Sequence, residues 1–192
     1  MPYIQNATLF LTSALIGFAI YIVLMRFWMQ WVRADFRNEV GDFVIRATNP
    51  IVIPARRILP PIGTIDTATI ALAYLICVIK ITVIIQIHGD RLGDNQIETW
   101  WYFLWGLGLL LRSSIYLFLA AIFISIIASW FARGTYHPIL SVARTISEPI
   151  LAPARRIIPA IAGLDLSPIL VILFLYSSLL LVVDPILPPS IF

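Results

Sequence analysis

The sequence predicts an all-α membrane protein: four transmembrane helices in two parallel repeats, each a helix, a cytoplasmic Pro/Arg interfacial segment and a second helix. Three observations predict it. Of 192 residues, 60% are hydrophobic and only 12% charged, whereas a soluble domain is about half apolar and about a quarter charged. Four long apolar runs alternate with polar connections, and the second half of the chain repeats the first at an offset of 99 residues. With a mean hydropathy of +0.95, a compact water-soluble enzyme is excluded, because too little polar surface exists to cover it.

The first span is predicted over about residues 5–30. No charged side chain precedes Arg26, and Ala7 to Met25 suffice to cross a hydrocarbon core of about 30 Å at about 1.5 Å per residue. A signal peptide would open with a positive region; none is present, so this segment is expected to be retained. The second span covers 67–87, interrupted only by Lys80. The third covers 103–132, entered through the aromatic run Trp100, Trp101, Tyr102, Phe103 and Trp105. The fourth covers 167–184 and stops at Asp184-Pro185, after which Pro188 and Pro189 forbid further helix. Residues 1–90 form one repeat unit, 91–99 an external connection, and 100–192 the second unit.

Basic residues set the orientation. Arg33, Arg37, Arg46, Arg56 and Arg57 lie between spans one and two, and Arg133, Arg144, Arg155 and Arg156 between spans three and four. Between spans two and three, the connection holds only Arg91 against Asp90, Asp94 and Glu98. The positive-inside rule places the two arginine-rich connections in the cytoplasm and both termini outside. Trp28, Trp31 and Trp130 then mark the inner interface, and Trp100, Trp101 and Trp105 the outer. The net charge of +3 is dispersed among apolar residues, which fits anionic headgroups and not nucleic acid.

The repeat is most specific in its connections. Asn49-Pro-Ile-Val-Ile-Pro-Ala-Arg-Arg-Ile-Leu-Pro-Pro-Ile-Gly-Thr-Ile-Asp66 aligns without a gap on Glu148-Pro-Ile-Leu-Ala-Pro-Ala-Arg-Arg-Ile-Ile-Pro-Ala-Ile-Ala-Gly-Leu-Asp165. Pro50, Pro54, Arg56, Arg57, Pro60 and Asp66 meet Pro149, Pro153, Arg155, Arg156, Pro159 and Asp165, whereas Gly63 meets Ala162. Because each unit contains two spans, both copies enter the membrane in the same sense, about an axis expected along the membrane normal.

The prolines predict short helical pieces, with Asn49-Pro50 as a helix start. The apolar load between them places the segment in the inner interface or dipping shallowly into the bilayer. Three roles are open to the arginine pairs: anchoring to anionic lipid, bonding to the aspartate ten residues on, or recognition of a specific anionic ligand. Asp66 and Asp165 stand where carboxylates cap helices.

This doubled pattern, Asn-Pro, Pro-x-Arg-Arg-Ile-hydrophobic-Pro-Pro, then Gly and Asp ahead of an apolar span, resembles the YggT family of bacterial membrane proteins. The resemblance covers both halves. It implies an inner-membrane protein linked to osmotic stress tolerance, with potassium uptake, haem attachment to a cytochrome b and division or shape among the roles of relatives. Pro61 becomes Ala160 in the second copy, and Gly163 stands where Thr64 does, so the first copy holds the fuller motif.

Within the spans, Lys80 and Arg112 are costly in hydrocarbon and are expected to snorkel outward or pair with Asp184. Gly17, Gly106 and Gly108 read as sites of close helix packing, and Cys77 as a small apolar filler. His88 and His137 fall on opposite faces of the membrane, and no haem-attachment, phosphate-loop or zinc motif occurs. The expectation is therefore a non-enzymatic scaffold or accessory factor without cofactor or metal. Its expected partners are anionic lipid headgroups, a second copy or another membrane protein. A small ion-translocating protein for potassium uptake or efflux and an assembly factor for membrane complexes are the alternatives.

Overall fold

A computed structural model describes residues 2–88, 98–131, 137–157 and 165–187. Its elements are α1 (Pro2–Trp31), α2 (Glu39–Ile58), α3 (Thr67–His88), α4 (Thr99–Phe131), α5 (Pro138–Ile157) and α6 (Ser167–Ser178). A π turn over Leu179–Val183 and a 3-10 turn over Asp184–Ile186 extend α6. Helices α1, α3, α4 and extended α6 are long and apolar enough to cross a membrane. Their outward side chains remain apolar: Phe18 on α1 is 60% exposed and Phe174 on α6 is 67% exposed. A helix apolar all round belongs in a protein core or in lipid, and these outward faces have no core to enter. The third span begins at Thr99, so the aromatic run is part of its helix instead of leading into it. Most of the external connection, together with Arg133 and Pro159, lies outside the described residues.

The proline-bearing connections depart from expectation. Instead of short pieces, each forms one helix of 20 residues running through both of its first two prolines, Pro50 and Pro54 in α2, Pro149 and Pro153 in α5. Nor does α2 start at Asn49. Asn38 caps it, its side chain accepting from the Gly41 amide at 2.9 Å. Prolines four residues apart share one helix face, and all four are exposed. The carbonyls they leave unbonded, such as those of Arg46 and Pro50, thus open on the outer side. The opposite stripe, Gly41, Val44, Thr48 and Val52, is buried and packs α2 on both sides of the break. What ends α2 is Pro60: the residue before a proline is driven from helical to extended backbone, and Leu59 has φ −118° and ψ 88°.

Two buried clusters hold the bundle, and neither belongs to a single repeat. One joins Leu24 of α1, Cys77 and Ile81 of α3, Leu110 of α4 and Leu179 beyond α6. The other joins Met29 of α1, Ile122 of α4, Ile146 and Leu151 of α5 and Val171 of α6. Cys77 is fully buried there, as expected of a filler. The spans lie in the order α1, α3, α4, α6: α3 packs on both α1 and α4, while α6 packs on α4 and, among the described residues, makes no contact with α1. A closed two-fold bundle would pair α6 with α1 as it pairs α3 with α4. The two units are thus parallel in sense but not equivalent in packing.

Gly106 makes the α3/α4 approach possible, since a Cβ there would stand 2.5 Å from Val78 Cγ2. Gly108 similarly faces Ile186 and Leu187. Gly106→Val is expected to overpack the contact at a cost of about 1–3 kcal/mol, read as a lowered Tm in detergent; an unchanged Tm would show that the helices separate without loss.

Candidate functional site

The repeated motif folds into a lock at one end of each unit. After Leu59 and the two prolines, Ile62 and Ile65 exchange backbone hydrogen bonds at 3.0 Å each way. Gly63 has φ +60°. Positive φ at the first central position of such a two-residue loop defines a type II′ turn, the place where glycine alone is unstrained. Thr67 Oγ1 donates to the Pro60 carbonyl at 2.7 Å, tying the turn to the start of α3. Asp66 is thereby set as the cap of α3, accepting from the Thr69 hydroxyl and, at 3.4 Å, the Thr69 amide.

Arg56, in the last turn of α2, reaches the same carboxylate through Nη2 at 2.6 Å and Nε at 3.2 Å. Its Nη2 also donates to Gln30 of α1 at 3.2 Å. Capping and the arginine bond are one arrangement, then, not competing roles. The Asp66 side chain is 0% exposed. Burial alone would push its pKa up, but hydrogen bonds from Arg56 and Thr69 and the Arg56 charge outweigh it and hold the carboxyl below its ordinary range.

Beside this lock lies Arg26 of α1, 6% exposed. Its Nη1 donates to Thr48 Oγ1 at 2.6 Å and Asn49 Oδ1 at 2.9 Å. The first unit thus gathers three helices around two guanidiniums and one carboxylate. Arg26, Gln30, Thr48 and Thr69 are not among the residues that sequence reasoning singles out, and Asn49 is read there only as a helix start. A usable signal exists: Arg26 and Gln30 are four apart, on one face of α1, after the apolar run from Ala14 to Met25.

The second unit keeps the lock and inverts the charge around it. Arg155 Nε donates to Asp165 at 3.0 Å, and its Nη1 to both oxygens of Glu148 at 2.8 and 3.0 Å. Asp165 accepts from the Ser167 amide at 2.9 Å. Ser167 and Arg155 hold the Asp165 carboxyl below its ordinary range against a small opposing effect of burial. At the offset of 99, Ser125 stands in place of Arg26 and Glu148 in place of Asn49, leaving one guanidinium with two carboxylates. This copy is open to solvent, with side chains 40% exposed at Asp165 and 42% at Arg155. Arg57 and Arg156, second in each pair, are exposed and make no ion pair among the described residues. Of the three roles open to each pair, the first arginine bonds the aspartate, and the second does not.

A second polar locus lies within the spans. Lys80 and Arg112 line one cavity of about 240 Å³, and Arg112 Nε approaches Asp184 Oδ1 at 3.8 Å. The Arg112 guanidinium also lies 5.6 Å over the Tyr116 ring. Among the described residues, no three His, Cys, Asp or Glu side chains are grouped to hold a metal.

Comparison with known proteins follows the repeat. The family model described as CCB3/YggT matches residues 5–87 and again 104–186, two segments separated by the same offset of 99. The chain is 40% identical to an uncharacterized protein from the proC 3′ region of Vibrio alginolyticus, over 96% of this chain and 97% of that one. It is 35% identical to the uncharacterized protein YggT of Escherichia coli K12, over 90% and 87%, and 36% identical to an uncharacterized protein of Pseudomonas aeruginosa, over 94% and 90%. No solved structure matches the chain.

Proposed function

The chain belongs to the CCB3/YggT family, and from that premise we propose a membrane protein that acts, without catalysis, as a scaffold or accessory factor. Its setting is the bacterial inner membrane, with α2 and α5 on the cytoplasmic face and both termini outside. Envelope homeostasis under osmotic stress is the process it serves. One observation carries the reading: in each unit an Arg–Asp lock fastens an amphipathic helix across the span ends, while the next arginine, Arg57 or Arg156, projects outward. Such an arrangement displays a fixed basic surface to anionic headgroups or to the acidic face of a partner protein.

Self-association is part of the proposal. The α3/α4 contact has no α6/α1 counterpart among the described residues, which leaves the corresponding faces of α1 and α6 for a second copy. Potassium translocation gains nothing from the cavity in the spans, whose fixed cations Lys80 and Arg112 repel a cation.

Each arginine at an anionic surface contributes about 1 kcal/mol, so Arg57→Ser with Arg156→Ser is expected to weaken the preference for phosphatidylglycerol over phosphatidylcholine by tenfold or more. Native mass spectrometry from mixed nanodiscs reads it. Protein reconstituted in liposomes tests the scaffold role itself: potassium flux above empty vesicles, abolished by changing Arg56 or Arg155, would overturn it.

A further inference from the structure

Several hydroxyls in the spans bond a backbone carbonyl one turn back. Thr8 donates to Ile4, Thr82 to Val78, Ser125 to Ala121 and Ser178 to Phe174. Others are gathered around one cavity instead. Ser13 and Tyr21 of α1, Lys80 of α3, and Ser113 and Tyr116 of α4 all line the 240 Å³ cavity that also takes Arg112. Among the described residues, neither those four hydroxyls nor the Lys80 ammonium makes a hydrogen bond to protein. Ser113 is 5% exposed. Gly17 leaves room for the ammonium, since a Cβ there would lie 3.3 Å from Lys80 Nζ.

Polar groups surrounded by hydrocarbon persist where they have partners. The groups gathered here specify the partner's chemistry. An ammonium supplies three donors and no acceptor, and each hydroxyl supplies one donor. Asp184 offsets Arg112, so the uncompensated charge is that of Lys80. The occupant is therefore an anion that accepts several hydrogen bonds at once, and a guanidinium at the rim suits an oxyanion better than a halide. The volume is several times the roughly 30 Å³ share of one water, enough for a tetrahedral oxyanion.

We propose that this cavity is a binding site for a phosphate group, presented by inorganic phosphate or by a lipid headgroup. Lys80 lies about 20 Å along α3 from Thr67 at 1.5 Å per residue, so the site is nearer the end of the span opposite the arginine motif. Tyr21 and Tyr116, 40% and 38% exposed, open it sideways between α1 and α4, an approach a lipid or a free ion can take.

The test uses full-length protein in detergent, with radiolabelled orthophosphate as probe. Saturable binding of about one phosphate per chain is expected, weakened at least tenfold by Lys80→Met and several-fold by Tyr116→Phe, with helicity and elution volume unchanged. Phosphorus analysis after exhaustive delipidation separates the sources: phosphorus retained by the wild type and lost from Lys80→Met identifies a lipid, and binding of added orthophosphate identifies the free ion. The absence of both retained phosphorus and saturable binding overturns the proposal. So does binding that both substitutions leave intact, or a site that takes chloride and ignores phosphate.

Discussion

Arg56→Ala is expected to destabilise the protein by about 3–5 kcal/mol, the cost of stranding a buried charge, while Arg155→Ala costs no more than about 1 kcal/mol, as at other exposed pairs. The two arginines are equivalent in sequence and bond equivalent aspartates. What separates them is environment: the Asp66 side chain is 0% exposed and that of Asp165 40% exposed. Without Arg56, Asp66 keeps only the hydroxyl and amide of Thr69, whereas water replaces Arg155 at little loss. Thermal unfolding in detergent, followed by circular dichroism, compares the two; equal losses would refute the asymmetry. Arg56→Ala combined with Asp66→Asn should recover part of the loss, because no buried charge is then left alone.

The same lock has a pH signature. The folded pKa of Asp66 is depressed, so its contribution is complete above the unfolded carboxylate value of about 3.9 and disappears as pH falls through the folded value. Wild-type stability should therefore be flat from neutral pH down to about 4 and fall only in more acid solution. In Arg56→Ala, burial dominates and raises the pKa, so the decline begins at higher pH.

Apolar length made the spans legible in advance. The expected second span at 67–87 is α3, Thr67–His88, since an aspartate and a proline-rich turn mark its start. The connections were legible as a motif but not as a shape. Proline arithmetic argues for short pieces because it counts lost donors without asking which way the freed carbonyls face. In α2 they face outward, and the buried stripe from Gly41 to Val52 settles the outcome. The first half of the lock, Arg56 with Asp66, could be anticipated from spacing. Arg26, Gln30, Thr48 and Asn49 could not be found by matching identical residues, because the repeat preserves polarity at those positions and not identity: Ser125, Ser129, Ser147 and Glu148 stand there in the second unit. Lys80 and Arg112 were expected to snorkel or pair. Arg112 does meet Asp184, and the placement of Lys80 depended on glycine at position 17, on a different helix.

That exchange of polar residues between units yields the other large effect. Arg26→Ser, which installs what the second unit carries at this position, is expected to cost about 2–4 kcal/mol. It removes two hydrogen bonds from a charged donor, each contributing about 1.5–3 kcal/mol, and relief of repulsion with Arg56 offsets part of that. Asn49→Glu alone should stabilise, because a carboxylate would meet Arg26 where an amide oxygen now lies at 2.9 Å. The double substitution should behave differently from the sum of the two. In the second unit Glu148 bonds Arg155 seven residues on, so a glutamate at 49 facing a serine at 26 would turn to Arg56 and restore most of the lost stability. A thermodynamic cycle over the four proteins measures the coupling. Strict additivity would mean that the two units hold their guanidiniums independently of the surrounding charge, and that the inverted networks are unrelated accidents of surface composition.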